Sequence, residues 1–311
     1  MELDNNLKNK IEHLLDGYKQ DVLKDASFKI IEKYQKEDKE HPVIDNELKA
    51  KIYAATRMPA TYGAVSNALE HIFALYYKDI NNALDIGAGL GAASLALYDL
   101  MKVDHIDLYE KEEAMRSLGK LLNEDKPFSY QEFDLVTDDI NNKYDLVMSS
   151  YVLNELSEET RKVAIQKMYQ ATKDLIIIVD PGTPNGYKII QEIRSALLAK
   201  GMHIIAPCPH EGKCPMSQDD WCHFVARIAR SKLHKTLKEA DAPYEDEKFS
   251  YIALSKNEIN RCSNRILRHP HIYKGMVQLI SCNNEGITKV EIRKSHPNYK
   301  MAKKIKVGDS F

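Results

Sequence analysis

Residues 84–91 read Leu-Asp-Ile-Gly-Ala-Gly-Leu-Gly, and this stretch constrains the fold more than any other part of the chain. An apolar run that ends in glycines at alternate positions reads as a strand delivered into a tight turn, with a helix opening behind it. Gly87, Gly89 and Gly91 let the backbone turn sharply and let a ligand come close to the main chain. Glu110 ends the next apolar run, 19 residues after Gly91. A carboxylate there can accept both hydroxyls of a ribose. The same alternation continues downstream. Residues 83–86, 105–109, 144–149 and 175–179 read as strands, and 91–100, 111–122, 158–172 and 186–199 as helices. Strands alternating with helices mean βαβ units and a parallel sheet covered on both faces. The expected class is α/β with a Rossmann-like sheet.

Three regions are expected: a helical region over 1–78, the sheet domain over 79–256 with a cysteine-rich insertion at 207–224, and a basic β-rich extension over 257–311. In the first, Ile11, Leu14, Leu15, Tyr18, Val22, Phe28, Ile31 and Tyr34 recur at near-helical spacing, and His41-Pro42 interrupts them. A second helical stretch covers Asn46 to Tyr77, with a break or a new helix start at Met58-Pro59. Past residue 200 the pattern becomes β-like over 202–206, 222–228 and 249–254. The extension holds a hairpin, Met276 to Cys282 and Ile287 to Ile292, joined by Asn283-Asn-Glu-Gly.

Apolar runs such as Leu175 to Val179 are far short of the ~20 residues a spanning helix needs. The N-terminus has no apolar core of a secretory signal, and its acidic residues at positions 2 and 4 argue against a transit peptide, so a cytoplasmic location is expected. Charge is unevenly spread. After Cys222 there are 18 Lys and Arg against 9 Asp and Glu; up to it there are 26 against 37. A basic tail on an acidic body points to a polyanion, of which nucleic acid is the usual one. Its candidate contacts are Arg227, Arg230, Lys232, Arg265, Arg268, Lys274, Arg293, Lys294, Lys303 and Lys304.

The spacing Asp-x-Gly-x-Gly-x-Gly differs from the dinucleotide GxGxxG and resembles motif I of class I S-adenosylmethionine (SAM) methyltransferases. The resemblance implies that Asp85 lies near the methionine portion and that Gly87, Gly89 and Gly91 pass under the nucleoside. It also implies that Glu110 holds the ribose and that Asp134 approaches the adenine. The loop Ser149 to Leu156 would face the methyl group. It lacks the Asn/Asp-Pro-Pro-aromatic signature of amino-group methyltransferases, and no cysteine before 208 supplies a cytosine-C5 nucleophile. Asn154 and Glu155 either orient a substrate or cap a helix. Cofactor binding is thus better supported than a defined chemistry.

Three of the five cysteines stand close together as Cys208-x5-Cys214-x7-Cys222, and Cys282 lies 60 residues on. Four thiolates suit either a [4Fe–4S] cluster or a Cys₄ zinc site, and the spacing leaves both open. The Cys-x3-Cys-x2-Cys spacing of radical SAM enzymes is absent. Together with the glycine loop, five stretches resemble one family: Arg57-Met-Pro-Ala-Thr-Tyr62, Asp180-Pro-Gly-Thr-Pro-Asn-Gly186, the 208–224 block, Arg265-Ile-Leu-Arg268 and the tail through Val307-Gly-Asp309. That family comprises the methyltransferase-like proteins associated with the mitochondrial small ribosomal subunit and their bacterial relatives. The resemblance implies a SAM-type domain, a [4Fe–4S] cluster on Cys208, Cys214, Cys222 and Cys282, and action on small-subunit ribosomal RNA during assembly. Three functions follow in order: a SAM-dependent RNA methyltransferase, a non-catalytic RNA-binding assembly factor, and a small-molecule methyltransferase with a zinc knuckle.

Overall fold

The computed structural model describes residues 2–35 and 44–311. The chain opens with α1 (Asn5–His13), α2 (Gln20–Gln35), α3 (Glu47–Thr56) and α4 (Met58–Phe73). Strand–helix alternation follows: β1 (Asn82–Ile86), α5 (Ala92–Met101), β2 (His105–Glu110), α6 (Glu113–Leu122), β3 (Phe128–Glu132), β4 (Tyr144–Ser150), α7 (Glu158–Ala171), β5 (Thr172–Pro181) and α8 (Pro184–Ala199). Then come β6 (His203–Ala206), β7 (Phe224–Ala229), α9 (Lys232–Lys238), β8 (Tyr244–Ser255), β9 (Asn264–Ile266), β10 (His271–Tyr273), β11 (Met276–Asn283), β12 (Gly286–Arg293) and α10 (Tyr299–Ala302).

The main sheet runs β3-β2-β1-β4-β5-β8-β6, with β7 also on β8. β1 to β5 are mutually parallel, and β8 runs antiparallel to β5, β6 and β7. This is the α/β class with a Rossmann-like sheet expected above. Alternate residues of each strand feed two cores. Leu175, Ile177 and Val179 of β5 join one, and Ile176 and Ile178 the other. A sheet buried on both faces selects runs of apolar β-branched residues, which is why these strands were readable. Strand order reverses between β1 and β4, and the crevice at such a reversal, beyond the strand carboxyl ends, is where open α/β sheets bind ligands.

A smaller sheet holds β10-β11-β12, with β9 beside β11. The hairpin expected over 276–292 forms, with Val277 opposite Ile292 and Leu279 opposite Val290. Those residues pack with Ile266, Ala302 and Ile305 into a third core. The C-terminal tail closes on it. Gly308, at φ +93°, sits so close to His71 that a Cβ would stand 2.3 Å from the ring.

Two expectations need correction. The Ile11–Tyr34 stretch is not one helix, because Gly17 at φ +83° turns the chain between α1 and α2. The face expected to be buried is largely the outer one: Tyr18, Val22, Phe28 and Ile31 are exposed, while Leu23, Ala26, Ser27 and Ile30 face the core. The His41-Pro42 break and the Tyr34 side chain lie outside the described residues. Met58-Pro59 is a new helix start: it opens α4, and the break from α3 falls at Arg57.

Candidate functional site

Asp85 is the fourth residue of β1 and is fully buried. Its Oδ2 accepts from the Ser94 hydroxyl at 2.7 Å, while its Oδ1 has no partner among the described residues. Burial pushes its carboxyl up to about 7, against the pull of the Ser94 hydrogen bonds. Gly87, Gly89 and Gly91 follow at φ +67°, +55° and +82°, a left-handed run that only glycine adopts cheaply. A Cβ at Gly91 would stand 2.6 Å from the Tyr130 hydroxyl, so the turn also needs glycine for packing.

Glu110 closes the loop from the side. Its Oε2 accepts the Gly89 N–H at 2.8 Å and its Oε1 the Glu112 N–H at 2.8 Å. Burial raises its carboxyl, and those N–H groups pull it down again. Each carboxylate oxygen keeps lone-pair capacity for a further donor. Asp134 lies beyond β3, and Lys111, 2.9 Å away, holds its carboxyl below the usual range. Asp85, the glycines, Glu110 and Asp134 thus all lie at the carboxyl end of the sheet, on β1, β2 and the residues that follow β1 and β3.

These burial effects set a pH dependence. The Asp85 carboxyl has an ordinary value of 3.8 and about 7 when folded. A carboxyl raised on folding leaves stability intact below about pH 4 and erodes it as pH climbs to about 7. The ligand-free Asp85→Asn variant, whose amide oxygen still accepts from Ser94, should therefore match wild type at pH 4 and exceed it at pH 8. The expected gain at pH 8 is on the order of a few kcal/mol. Denaturant unfolding at the two pH values measures it, and equal differences at both would count against this reading of Asp85.

After β4 the chain makes a strained turn. Tyr151 has φ +58°, and Val152 packs over the glycine loop, 2.3 Å from where a Gly87 Cβ would be. Backbone strain in a non-glycine residue persists only where surroundings over-determine it. Here the Tyr151 hydroxyl donates to Glu247 Oε1 at 2.9 Å, and Arg57 donates to both Glu247 oxygens at 3.2 Å. The Arg57 guanidinium also lies 5.7 Å from the Tyr151 ring centre. Sequence reasoning missed this trio, because Arg57, Tyr151 and Glu247 come from α4's start, the β4 turn and β8.

Asn154 and Glu155 sit in a single 3-10 turn, Leu153–Glu155. The Asn154 Oδ1 is buried with no partner among the described residues. Beside this turn, Asp180 at the end of β5 is fully buried with both oxygens likewise unpartnered. Burial pushes its carboxyl well above the usual range; Glu155 adds to that, while Arg161 opposes it. Asp180 stands in the Pro-Gly-Thr-Pro stretch but was not singled out as a site residue.

The cysteines come from four places: the loop after β6, its middle, the residue pair before β7, and β11. Cys208, Cys214, Cys222 and Cys282 line one cavity of about 30 Å³, together with His210 and Tyr187. The Tyr187 hydroxyl lies 3.3 Å from the Cys214 sulfur, and His210 Nε2 lies 3.7 Å from that of Cys282. Burial raises the Cys208 and Cys222 thiols, and pushes Cys282 up to about 12. The ready-made ligand set expected from sequence is not seen. Among the described residues, no group of three or more His, Cys, Asp or Glu stands close enough together to hold a metal ion. Two buried arginines flank the thiols. Arg194 donates to the carbonyls of His210 and Gly212, and Arg265 to those of Pro207 and Gly308 and to the Cys262 sulfur. Neither forms an ion pair with a carboxylate among the described residues.

The basic candidates divide. Arg265 is 3% exposed and each of its three nitrogens donates within the protein, so it is a structural arginine rather than an RNA contact. Arg230 pairs with Glu245 in a half-buried cluster, Arg227 with Asp246, and Arg268 with Asp220. Lys232, Lys274, Arg293, Lys294, Lys303 and Lys304 are exposed and form no ion pair among the described residues.

Residues 47–311 match the family described as mitochondrial small ribosomal subunit Rsm22. The chain belongs to this family. The Homo sapiens ribosome assembly protein METTL17, mitochondrial, is 24% identical over 228 residues, covering 66% of this chain and 48% of its own length. The Schizosaccharomyces pombe Rsm22-cox11 tandem protein 2, mitochondrial, is 22% identical over 298 residues, covering 84% of this chain and 38% of its own. The Rsm22-family chain thus spans less than half the length of these curated relatives. Among solved structures it is similar to the plantazolicin methyltransferase BpumL with S-adenosylhomocysteine (SAH), at TM-score 0.46 and 13% identity over 82% of this chain and 100% of that one. The N-methyltransferase NodS of Bradyrhizobium japonicum with SAH gives TM-score 0.45 and 9% identity over 66% and 91%. Among the described residues no helix is long and apolar enough to cross a membrane.

Proposed function

We propose that this chain is a SAM-binding, methyltransferase-like protein that acts on small-subunit ribosomal RNA during ribosome assembly and carries a thiolate-held iron–sulfur cluster. The observation that carries the cofactor reading is the closed glycine loop at the sheet's reversal point, with the Glu110 carboxylate against the Gly89 N–H at 2.8 Å. Glu110 is the residue to accept the ribose hydroxyls. Asp85, with one oxygen free, would face the amino-acid end, and Asp134 the adenine. SAM bound there supplies an electrophilic methyl group.

The donor set supports a cluster on Cys208, Cys214, Cys222 and Cys282. Four sulfurs and Arg265 line one cavity and Arg194 lies beside Cys208, neither arginine with a carboxylate partner among the described residues, although the sulfurs must draw closer to share one metal group. Buried cations need an anion, and a thiolate-ligated cluster is one. Zinc on the same thiols remains the competing occupant.

A second reading, RNA binding in assembly without methyl transfer, is favoured by one side chain. Val152 fills the space over Gly87, in the loop where an acceptor group would be oriented. Both readings place the chain on small-subunit RNA. Ultraviolet crosslinking in living cells, followed by sequencing of the attached RNA, tests that shared part. Reads concentrated in small-subunit ribosomal RNA are expected; reads spread over messenger or transfer RNA would sink it.

A further inference from the structure

The β10–β11–β12 sheet has one face over the third core and one face outward. Paired residues of an antiparallel sheet point the same way, so register assigns the faces. Val277, Leu279 and their partners Ile292 and Val290 point inward. The set pointing away from that core is Tyr273, Met276 and Arg293 in one row, His271, Gln278 and Glu291 in the next, with Gln278 buried between its neighbours, and Ile280 with Lys289 in the third. Tyr273 is 50% exposed, although a tyrosine ring is normally buried against something.

Three cations lie at the same end of this sheet. Lys274 follows Tyr273 directly, Arg293 lies in its row, and Lys294 is tied alongside by its N–H to the Gly275 carbonyl at 2.8 Å. All three are exposed, and none forms an ion pair among the described residues. The sheet's outward carboxylate, Glu291, lies one row away and faces Gln278. An exposed aromatic sharing one end of a sheet with unpaired cations fits a nucleic-acid strand whose bases are free to stack. In A-form duplex RNA the bases are already stacked on one another, so a flat platform gains nothing from them.

We propose that this outward face, centred on Tyr273, binds a single-stranded segment of RNA, with a base on the tyrosine ring and phosphates on Lys274, Arg293 and Lys294. This rests on the RNA part of the proposed function and names the surface and the RNA conformation it takes. His271, in the next row, offers a second ring for the neighbouring base.

The test is fluorescence anisotropy on the full chain with a labelled, unstructured RNA oligomer, repeated with the same sequence as a duplex. Wild type is expected to prefer the single strand at least fivefold. Tyr273→Ala is expected to weaken single-strand binding at least fivefold with an unchanged salt slope, and Tyr273→Phe to keep it. Arg293→Ala with Lys294→Ala should lower the slope of log K against log salt by about 0.7 for each lost phosphate contact. These positions are exposed, so folding is not at stake, and circular dichroism verifies that. Tight RNA binding that ignores Tyr273→Ala, or a duplex bound as well as the strand, overturns this inference while leaving the ribosomal reading intact. No RNA binding by wild type overturns both.

Discussion

If the proposed cluster is present, replacing Cys222 by serine in anaerobically prepared protein is expected to abolish iron binding. Cys222 is the most constrained of the four thiols: burial raises it well above its ordinary value, and Cys208, Cys214 and Cys282 each raise it further. Without a metal such thiols stay protonated, so a bound metal must displace their protons. Wild type should then hold about four iron and four sulfide per chain, with a broad brown absorbance. The serine variant should hold less than one iron and lose that absorbance. Because β11 carries Cys282 while the other three thiols flank β6 and β7, loss of the group also unties the small sheet from the large one. Metal binding of this kind is folding free energy, so the variant should unfold at a distinctly lower temperature. Stoichiometric zinc without iron in wild type would replace the cluster by a zinc knuckle.

Arg57→Ala is expected to cost about 3 kcal/mol, at the low end of the roughly 3–5 kcal/mol for breaking a buried ion pair. The low end applies because the Arg57 side chain keeps 29% exposure, against 13% for Glu247. Arg57 serves as the fork that satisfies both Glu247 oxygens while covering the Tyr151 ring. Without it, Glu247 is left half-buried with only the Tyr151 hydroxyl, and the φ +58° turn that carries Val152 loses a support. Arg57→Lys should recover only part of the loss, since an ammonium cannot span both oxygens. Urea unfolding of the three proteins measures the difference. An Arg57→Ala variant as stable as wild type would mean that the trio contributes nothing to holding the turn.

The parts of this molecule that were legible in its sequence share one property: their signal is contiguous. β1, β2, β4 and β5 are apolar runs because both faces are buried, and the glycine loop and Glu110 stand at a fixed spacing along one βαβ unit. β3 was passed over because it is an edge strand, and its Ser129, Gln131 and Glu132 break the apolar run. The first half of β8, Tyr-Glu-Asp-Glu-Lys, reads as a charged loop, yet it pairs with β7 along its length. Its acids are spent on Arg57, Arg227, Arg230 and Lys238. In α2 the large apolar residues pointed to the wrong face, since small Ala26 and Ser27 pack closer to the core.

The site divides in the same way. Asp85, Gly87, Gly89, Gly91 and Glu110 carry their meaning in spacing. Tyr151 and Glu247 carry theirs only in three dimensions, and Arg57 and Asp180, though they open family-like stretches, show their roles only there. Arg265 shows the converse. A guanidinium looks the same in sequence whether it faces solvent or, as here, ties the cysteine loop to the C-terminal tail. Cys282 could be grouped with the other cysteines in sequence only as a fourth thiol 60 residues beyond Cys222; the resemblance made it a ligand.

The most direct test of the cofactor site is calorimetric titration of wild-type protein and Glu110→Ala with SAH. One molecule of SAH per chain, with at least tenfold weaker binding to Glu110→Ala, is the expected result; losing a charge-assisted pair to a ribose is worth about 1.5–3 kcal/mol. No heat with wild type at millimolar ligand, or equal binding by both proteins, would contradict it.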